Sequence, residues 1–387
     1  MKRWNWLALA AGCAVVLAGC GGASDGADTT PKVAIKSVKV MGDSLSDSGT
    51  FTGIPSLGRI FSVQGSSHQI WTERTAAAYG ISSLCNVYQF TGATFIANPT
   101  AGCTSYAVGG GRINNPANEG GAASPVSVLK QLSDSAATAN HKASDLLLID
   151  GGGNDAADLV GAYLKAANDG GAAYMALLGS LPGTPLPTEA SGFPAAGVSY
   201  MTTLANRFYD AIQTNALNKG ATHVAIVNMP GITNTPRFQM VLDSIAAAYG
   251  GGAAGATARA QSDALFRSWI NAFNTQLNAR AAGNGAVVIV DLNTTMDDQI
   301  AHPAQYGLSN VMTPACPATG VGSDGLPTYN FETCTAVSLS ATRPAGATGG
   351  ADWWQTYAFS DGFHPTPYGY QLLSQLVARS LATAGWL

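Results

Sequence analysis

Charge is what this sequence has least of. Lys, Arg, Asp and Glu make up only 11% of the 387 residues, 19 basic against 23 acidic. They form no basic stripe, which excludes nucleic acid as a partner. The spacings CxxC and HExxH are absent, so the strong zinc patterns are missing and no metal is expected. Neither glycine run fits GxxxxGK[ST], which excludes a phosphate-cradling loop of that type. No second linker and no internal repeat interrupts the chain. The low charge comes with abundant Gly and Ala, a composition that fits an exported globular protein rather than a disordered one.

The N-terminal segment reads as an address rather than as structure. Lys2 and Arg3 precede an apolar run from Trp6 to Leu17, too short for a convincing membrane span and suited to an export signal. "LAGC" (17–20) resembles a bacterial lipobox, in which Cys20 becomes the acylated N-terminus. Residues 1–19 are then signal peptide, and the Gly/Ser/Asp/Thr-rich stretch over 20–36 a flexible tether. An ordinary signal peptide cut elsewhere is the other reading. With a lipobox, Gly21 rather than Asp after the cysteine indicates the outer membrane. Removing Lys2 and Arg3 from the 19 basic residues leaves 17 against 23, a charge of −6. Four cysteines remain, Cys85, Cys103, Cys316 and Cys334, an even number that suits disulfides in an exported chain. Three pairings exist. The local ones, Cys85–Cys103 and Cys316–Cys334, are expected because each staples a Gly/Pro/Thr-rich loop.

The remaining 37–387 is expected to be a single domain. Four runs read as strands buried on both faces: 33–42, 145–152, 223–230 and 286–292, with a weaker fifth at 104–108. Helical periods lie between and after them. Phe266, Trp269, Ile270, Phe273 and Leu277 share one face, as do Leu372, Leu373, Leu376, Val377, Ser380 and Leu381. Apolar strands alternating with amphipathic helices imply a three-layer α/β/α architecture, flavodoxin-like, with a mainly parallel sheet of about five strands. Ligands in such sheets bind outside the carboxyl ends of the strands. Ser44, the glycines 109–111 and Asn154 each come after a strand and so share one rim.

Ser44 stands in "GDSLSDSG" (42–49). A serine hydroxyl attacks only when a base takes its proton and a carboxylate orients that base. Of five histidines, His364 stands apart: "SDGFHP" places Asp361 three residues before it in a tight turn. There the carboxylate accepts from Nδ1–H and leaves Nε2 to face the serine. Acyl transfer also needs donors for an oxyanion. "YAVGGG" (106–111) offers a glycine N–H, and "GGGND" (151–155) the Asn154 amide. Each alone reads as a loop; together, in this order, they are specific. The serine is not in a GxSxG elbow, which argues against an α/β-hydrolase fold.

These four blocks resemble those of the SGNH, or GDSL, hydrolases over essentially the whole mature domain. The resemblance implies a cofactor-independent carboxylic ester hydrolase, an esterase or lipase acting through an acyl-serine. Ser44 is then the nucleophile, His364 the base and Asp361 its orienting partner. Ser44 N–H, Gly110 N–H and the Asn154 side chain form the oxyanion hole, with Gly109 the alternative to Gly110. Ser105 and Thr50 stand where the family often has Asn, which bears on loop support rather than chemistry. The expected partners are a small-molecule or lipid ester and, through the N-terminal anchor, the envelope membrane; the oligomeric state stays open. Trp353 and Trp354 either line an acyl pocket or pack under the catalytic turn. The Gly/Pro-rich segment 168–197 reads as an insertion that covers the site or decorates a surface. An acyltransferase using the same residues and a non-catalytic surface lipoprotein are the alternatives to hydrolysis.

Overall fold

The computed structural model describes residues 31–387, apart from 118 and 119. The expected signal peptide, Cys20 and most of the tether lie outside the described residues. In chain order the strands are β1 (Ser37–Met41), β2 (Tyr88–Phe90), β3 (Phe95–Ala97), β4 (Asp145–Ile149), β5 (Val224–Val227), β6 (Val287–Val290), β7 (Ala318–Val321) and β8 (Pro327–Tyr329). The central sheet is parallel, in the order β1-β4-β5-β6, while β2–β3 and β7–β8 are separate antiparallel pairs. Four strands form it rather than about five. The run at 104–108 lies along β1 without forming a regular strand: Ser105 bridges both Val40 and Asn86, and Tyr106 and Val108 donate their N–H groups to the Val40 and Gly42 carbonyls before the chain turns into the glycine loop.

Side chains alternate between the two faces along each central strand, and helices cover both faces. Met41, Leu147, Ile149 and Ile226 turn to one side, where they meet helices α2 (Val128–Thr138), α3 (Gly153–Asp169), α5 (Phe193–Asn215) and α7 (Gly252–Ala281). Val40, Leu146, Leu148 and Val227 turn to the other, against α1 (Trp71–Ala78), α8 (Leu292–Ala301) and α10 (Pro367–Thr383). This is the three-layer arrangement. On α7, all five of Phe266, Trp269, Ile270, Phe273 and Leu277 are buried. On α10, Leu372, Leu373, Val377 and Leu381 are buried, and Leu376 and Ser380 are half-buried. Among the described residues no helix is long and apolar enough to cross a membrane.

The segment 168–197 is not a loop over the site. It folds into α4 (Ala172–Gly179) and the start of α5, and it buries Tyr174, Leu178, Leu181 and Phe193 in the first apolar layer. The residues of α4 are apolar at nearly every position, Ala172 to Leu178, so they show no amphipathic period, and α4 packs against α3 and α5. Trp353 and Trp354 belong to a third, smaller core with Val63, Leu339 and the Cys316–Cys334 disulfide. Trp353 Nε1 donates to the Leu339 carbonyl at 2.8 Å. The two tryptophans therefore pack away from the site. Both expected disulfides are formed, Cys85–Cys103 and Cys316–Cys334.

Candidate active site

The register aligns Met41, Ile149, Ile226 and Ile289 in one row across the sheet. The residues just beyond this row therefore lie along one rim: Ser44 after β1, Asn154 after β4, Pro230 after β5, and Leu292 after β6. A cavity of about 300 Å³ opens there, lined among others by Ser44, Gly110, Asn154 and His364.

Ser44 sits at the tip of a tight turn. The Asp43 carbonyl accepts from Ser46 N–H at 3.1 Å and the Asp43 side chain from Leu45 N–H at 2.9 Å. Asp and Ser favour such turns because their side chains satisfy the local backbone. The Gln131 side chain grips the Gly42 peptide from both sides, accepting from its N–H at 2.7 Å and donating to its carbonyl at 3.0 Å. A side chain at Gly42 would collide with Asp150, whose Oδ1 would be 1.9 Å from the added Cβ.

His364 Nε2 lies 2.8 Å from Ser44 Oγ, and His364 Nδ1 lies 2.9 and 3.0 Å from the two Asp361 oxygens. Asp361 also accepts from the N–H groups of Phe363 and His364, at 2.8 and 2.6 Å. Those bonds tie the four-residue turn to its own carboxylate. Burial alone would raise the Asp361 carboxyl, but His364 and the backbone donors outweigh it and hold it below the ordinary value. Burial likewise opposes a charge on His364; the carboxylate of Asp361, with Asp43 farther off, prevails and raises the imidazole. The Phe61 ring stacks on the imidazole at 5.2 Å, with the planes 30° apart.

The two candidate glycines differ in their hydrogen bonds. Gly109 N–H donates to Asp47 Oδ2 at 2.8 Å, so it is engaged. Gly110, at φ 79°, lines the cavity, and its N–H and that of Ser44 make no hydrogen bond among the described residues. The Gly110 carbonyl is held by Arg112 Nη1 at 2.8 Å, and Arg112 is in turn paired with Asp158. Asn154 Nδ2 donates one proton to the Gly111 carbonyl at 3.0 Å, which fixes the amide and leaves its second proton for the cavity.

Sequence reasoning assigned no role to the buried carboxylates behind this set. Asp47 also accepts from Gly49 N–H, Thr50 N–H and the Asn86 amide. Asn86 Nδ2 reaches Thr50 Oγ1 and the Ala107 carbonyl as well, so an amide from elsewhere in the chain supports the loop where the family often has Asn. Asp155 accepts from Ile113 and Asn114 N–H, which ties the glycine loop to the start of α3; burial pushes its carboxyl up to about 6. Asp43 and Asp150 form a close pair, and Ser46 donates to Asp150. Burial, then the neighbouring Asp43 charge, pushes the Asp150 carboxyl well up, and Asp43 N–H donates to it at 3.4 Å. The available signal was Asp recurring at turn positions in "GDSLSDSG" and "GGGND".

Over 94 residues the chain is 32% identical to Lipase 1 of Photorhabdus luminescens, covering 24% of this chain and 11% of that protein. The chain thus spans about a tenth of that relative's length. Residues 38–377 match the model of the GDSL-like lipase/acylhydrolase family, a stretch that runs from β1 into α10 and includes every residue lining the cavity. Sheet, rim and sequence blocks coincide over that length, and the chain belongs to the GDSL-like lipase/acylhydrolase family.

Proposed function

We propose that the protein is a serine esterase or lipase that cleaves carboxylic esters through an acyl-serine. The observation that carries this is the continuous line from Asp361 through His364 to Ser44, at 2.9 and 2.8 Å. Membership of the family supports hydrolase chemistry of the esterase or lipase type; the geometry supports the assignment of roles.

Ser44 Oγ attacks the ester carbonyl as its proton passes to His364 Nε2. The Asp361 carboxylate stabilises the imidazolium that results and stays ionised itself. Negative charge on the carbonyl oxygen is met by Ser44 N–H, Gly110 N–H and Asn154 Nδ2. Gly110 is the donor rather than Gly109, whose N–H Asp47 already holds. His364 then gives its proton to the departing alkoxide, and the alcohol leaves. A water molecule, deprotonated by the same nitrogen, attacks the acyl-serine; the acid departs and Ser44 recovers its proton. No step calls on a cofactor.

The test is labelling of the full chain by a fluorophosphonate, with peptide mapping of the product. One adduct on the Ser44 peptide, lost in His364→Ala, is expected. Folded protein that takes no adduct would overturn the reading in favour of a non-catalytic surface lipoprotein. Product analysis in the presence of an alcohol separates hydrolysis from acyl transfer, since only the latter yields a new ester. The proposed lipid anchor at Cys20 has its own test: Cys20→Ser should move the protein from the membrane fraction to the soluble one.

A further inference from the structure

The cavity does not end at the catalytic residues. From Ser44 it passes the ends of β4 and β5, at Gly151 and Val227, and enters the gap between α8 and α10. These two helices cover the same face of the sheet yet make little direct contact with each other. Leu292 and Met296 line the gap from α8, Leu372, Leu373 and Leu376 from α10, and Phe359 from the segment before Asp361. Except for the half-buried Leu376, all of these side chains are buried. Protein interiors pack closely, so an aliphatic channel continuous with a nucleophile is a place for an apolar ligand.

From this geometry we propose that the channel between α8 and α10 binds the acyl chain of the substrate, and that the substrate class is the ester of a medium-chain, unbranched fatty acid. The proposal rests on the serine-esterase reading. The acyl part fits because it stays on Ser44 through both steps, whereas the alcohol has to leave. Its length comes from the sheet. Going from β1 to β6 crosses three strand intervals, about 14 Å in all. An extended alkyl chain advances about 1.25 Å per carbon, given a bond of ~1.5 Å and a tetrahedral angle. The channel therefore holds about ten to eleven carbons. Met296, unbranched and adaptable, suits a wall that meets a flexible chain.

The experiment measures kcat/KM of the full chain on p-nitrophenyl esters from acetate to palmitate, with fluorophosphonate labelling of Ser44 in parallel. Values should rise at least about tenfold from acetate to decanoate, since each buried methylene contributes up to roughly fourfold, and then level off or fall. Met296→Trp should lower the decanoate-to-acetate ratio tenfold or more, and Met296→Ala should move the optimum to longer chains. Should Met296→Trp fail to fold, Ile300→Trp, at a half-exposed lining position, makes the same test. Labelled enzyme with a flat chain-length profile, or variants with an unaltered ratio, would overturn the channel while leaving the catalytic reading intact. A chain-length dependence seen with long-alkyl acetates instead would assign the channel to the alcohol and overturn the acyl proposal. Loss of labelling in the unaltered protein would overturn both.

Discussion

The two ends of the cavity are built on opposite principles. At the β1 end the backbone is irregular and buried, and nearly every polar group has a directed partner: Asp47 alone accepts from three backbone N–H groups and one amide. At the α8–α10 end the walls are regular helices and the contacts are aliphatic. Hydrogen bonds fix atoms to within a few tenths of an ångström, whereas apolar contact is non-directional and roughly proportional to area. The lesson is one of sensitivity: single-atom changes at the first end should cost orders of magnitude in rate, and whole side chains at the second should cost graded amounts.

The largest expected effect is that of Ser44→Ala, which should remove nearly all ester turnover in a folded protein, as read by rate and circular dichroism together. Asp361→Asn comes next, with kcat lower by roughly 10³–10⁴-fold, because the imidazole loses its orienting acceptor. Its pH profile sharpens the point. His364 must be neutral to act as base, and Asp361 raises its pKa, so the acid limb of kcat/KM should lie above the ordinary histidine value. In Asp361→Asn that limb should move to lower pH. Asn154→Ala removes one oxyanion donor and should cost on the order of 10²–10³ in kcat with little change in KM.

The apolar end breaks differently. Leu381→Ala on α10, fully buried and away from the cavity, should destabilise by about 3–5 kcal/mol in denaturant unfolding. Leu373→Ala, on the same helix but beside open space, should cost less, about 2 kcal/mol. Equal losses at the two positions would mean that the channel closes in solution. Smallest of all, Ser127→Ala removes the N-cap of α2 that accepts from Lys130 N–H and should cost about 1 kcal/mol.

The sequence made one end of the cavity far more legible than the other. Ser44, His364, Asp361, Asn154 and the pair Gly109/Gly110 stood out because directed chemistry demands particular residue types in short, recognisable turns. The α8–α10 channel was not, since Leu and Met at helical spacing read as core whichever way they face. Trp353 and Trp354 show the same ambiguity: nothing local distinguishes a pocket wall from a small core beside a disulfide. The fifth strand failed for a related reason. A run such as "TSYAV" has strand propensity and hydrogen-bonds to the β1 segment as far as Val108, but whether it extends into a regular ladder depends on where the glycine loop carries the chain.

What the sequence by itself determined is local: buried strands by their apolar runs, α7 and α10 by their period, the Asp361–His364 turn by an acid three positions before the histidine, and disulfides within reach by eighteen-residue separations. Tertiary structure alone decided which glycine N–H is left facing the cavity, because the answer lies with Asp47, 62 positions from Gly109. It also decided that much of 168–197 packs as helix, in α4 and the start of α5, and that two helices stand apart to leave a channel. Those outcomes depend on contacts between segments distant in the chain, and no local pattern encodes the space left between two helices.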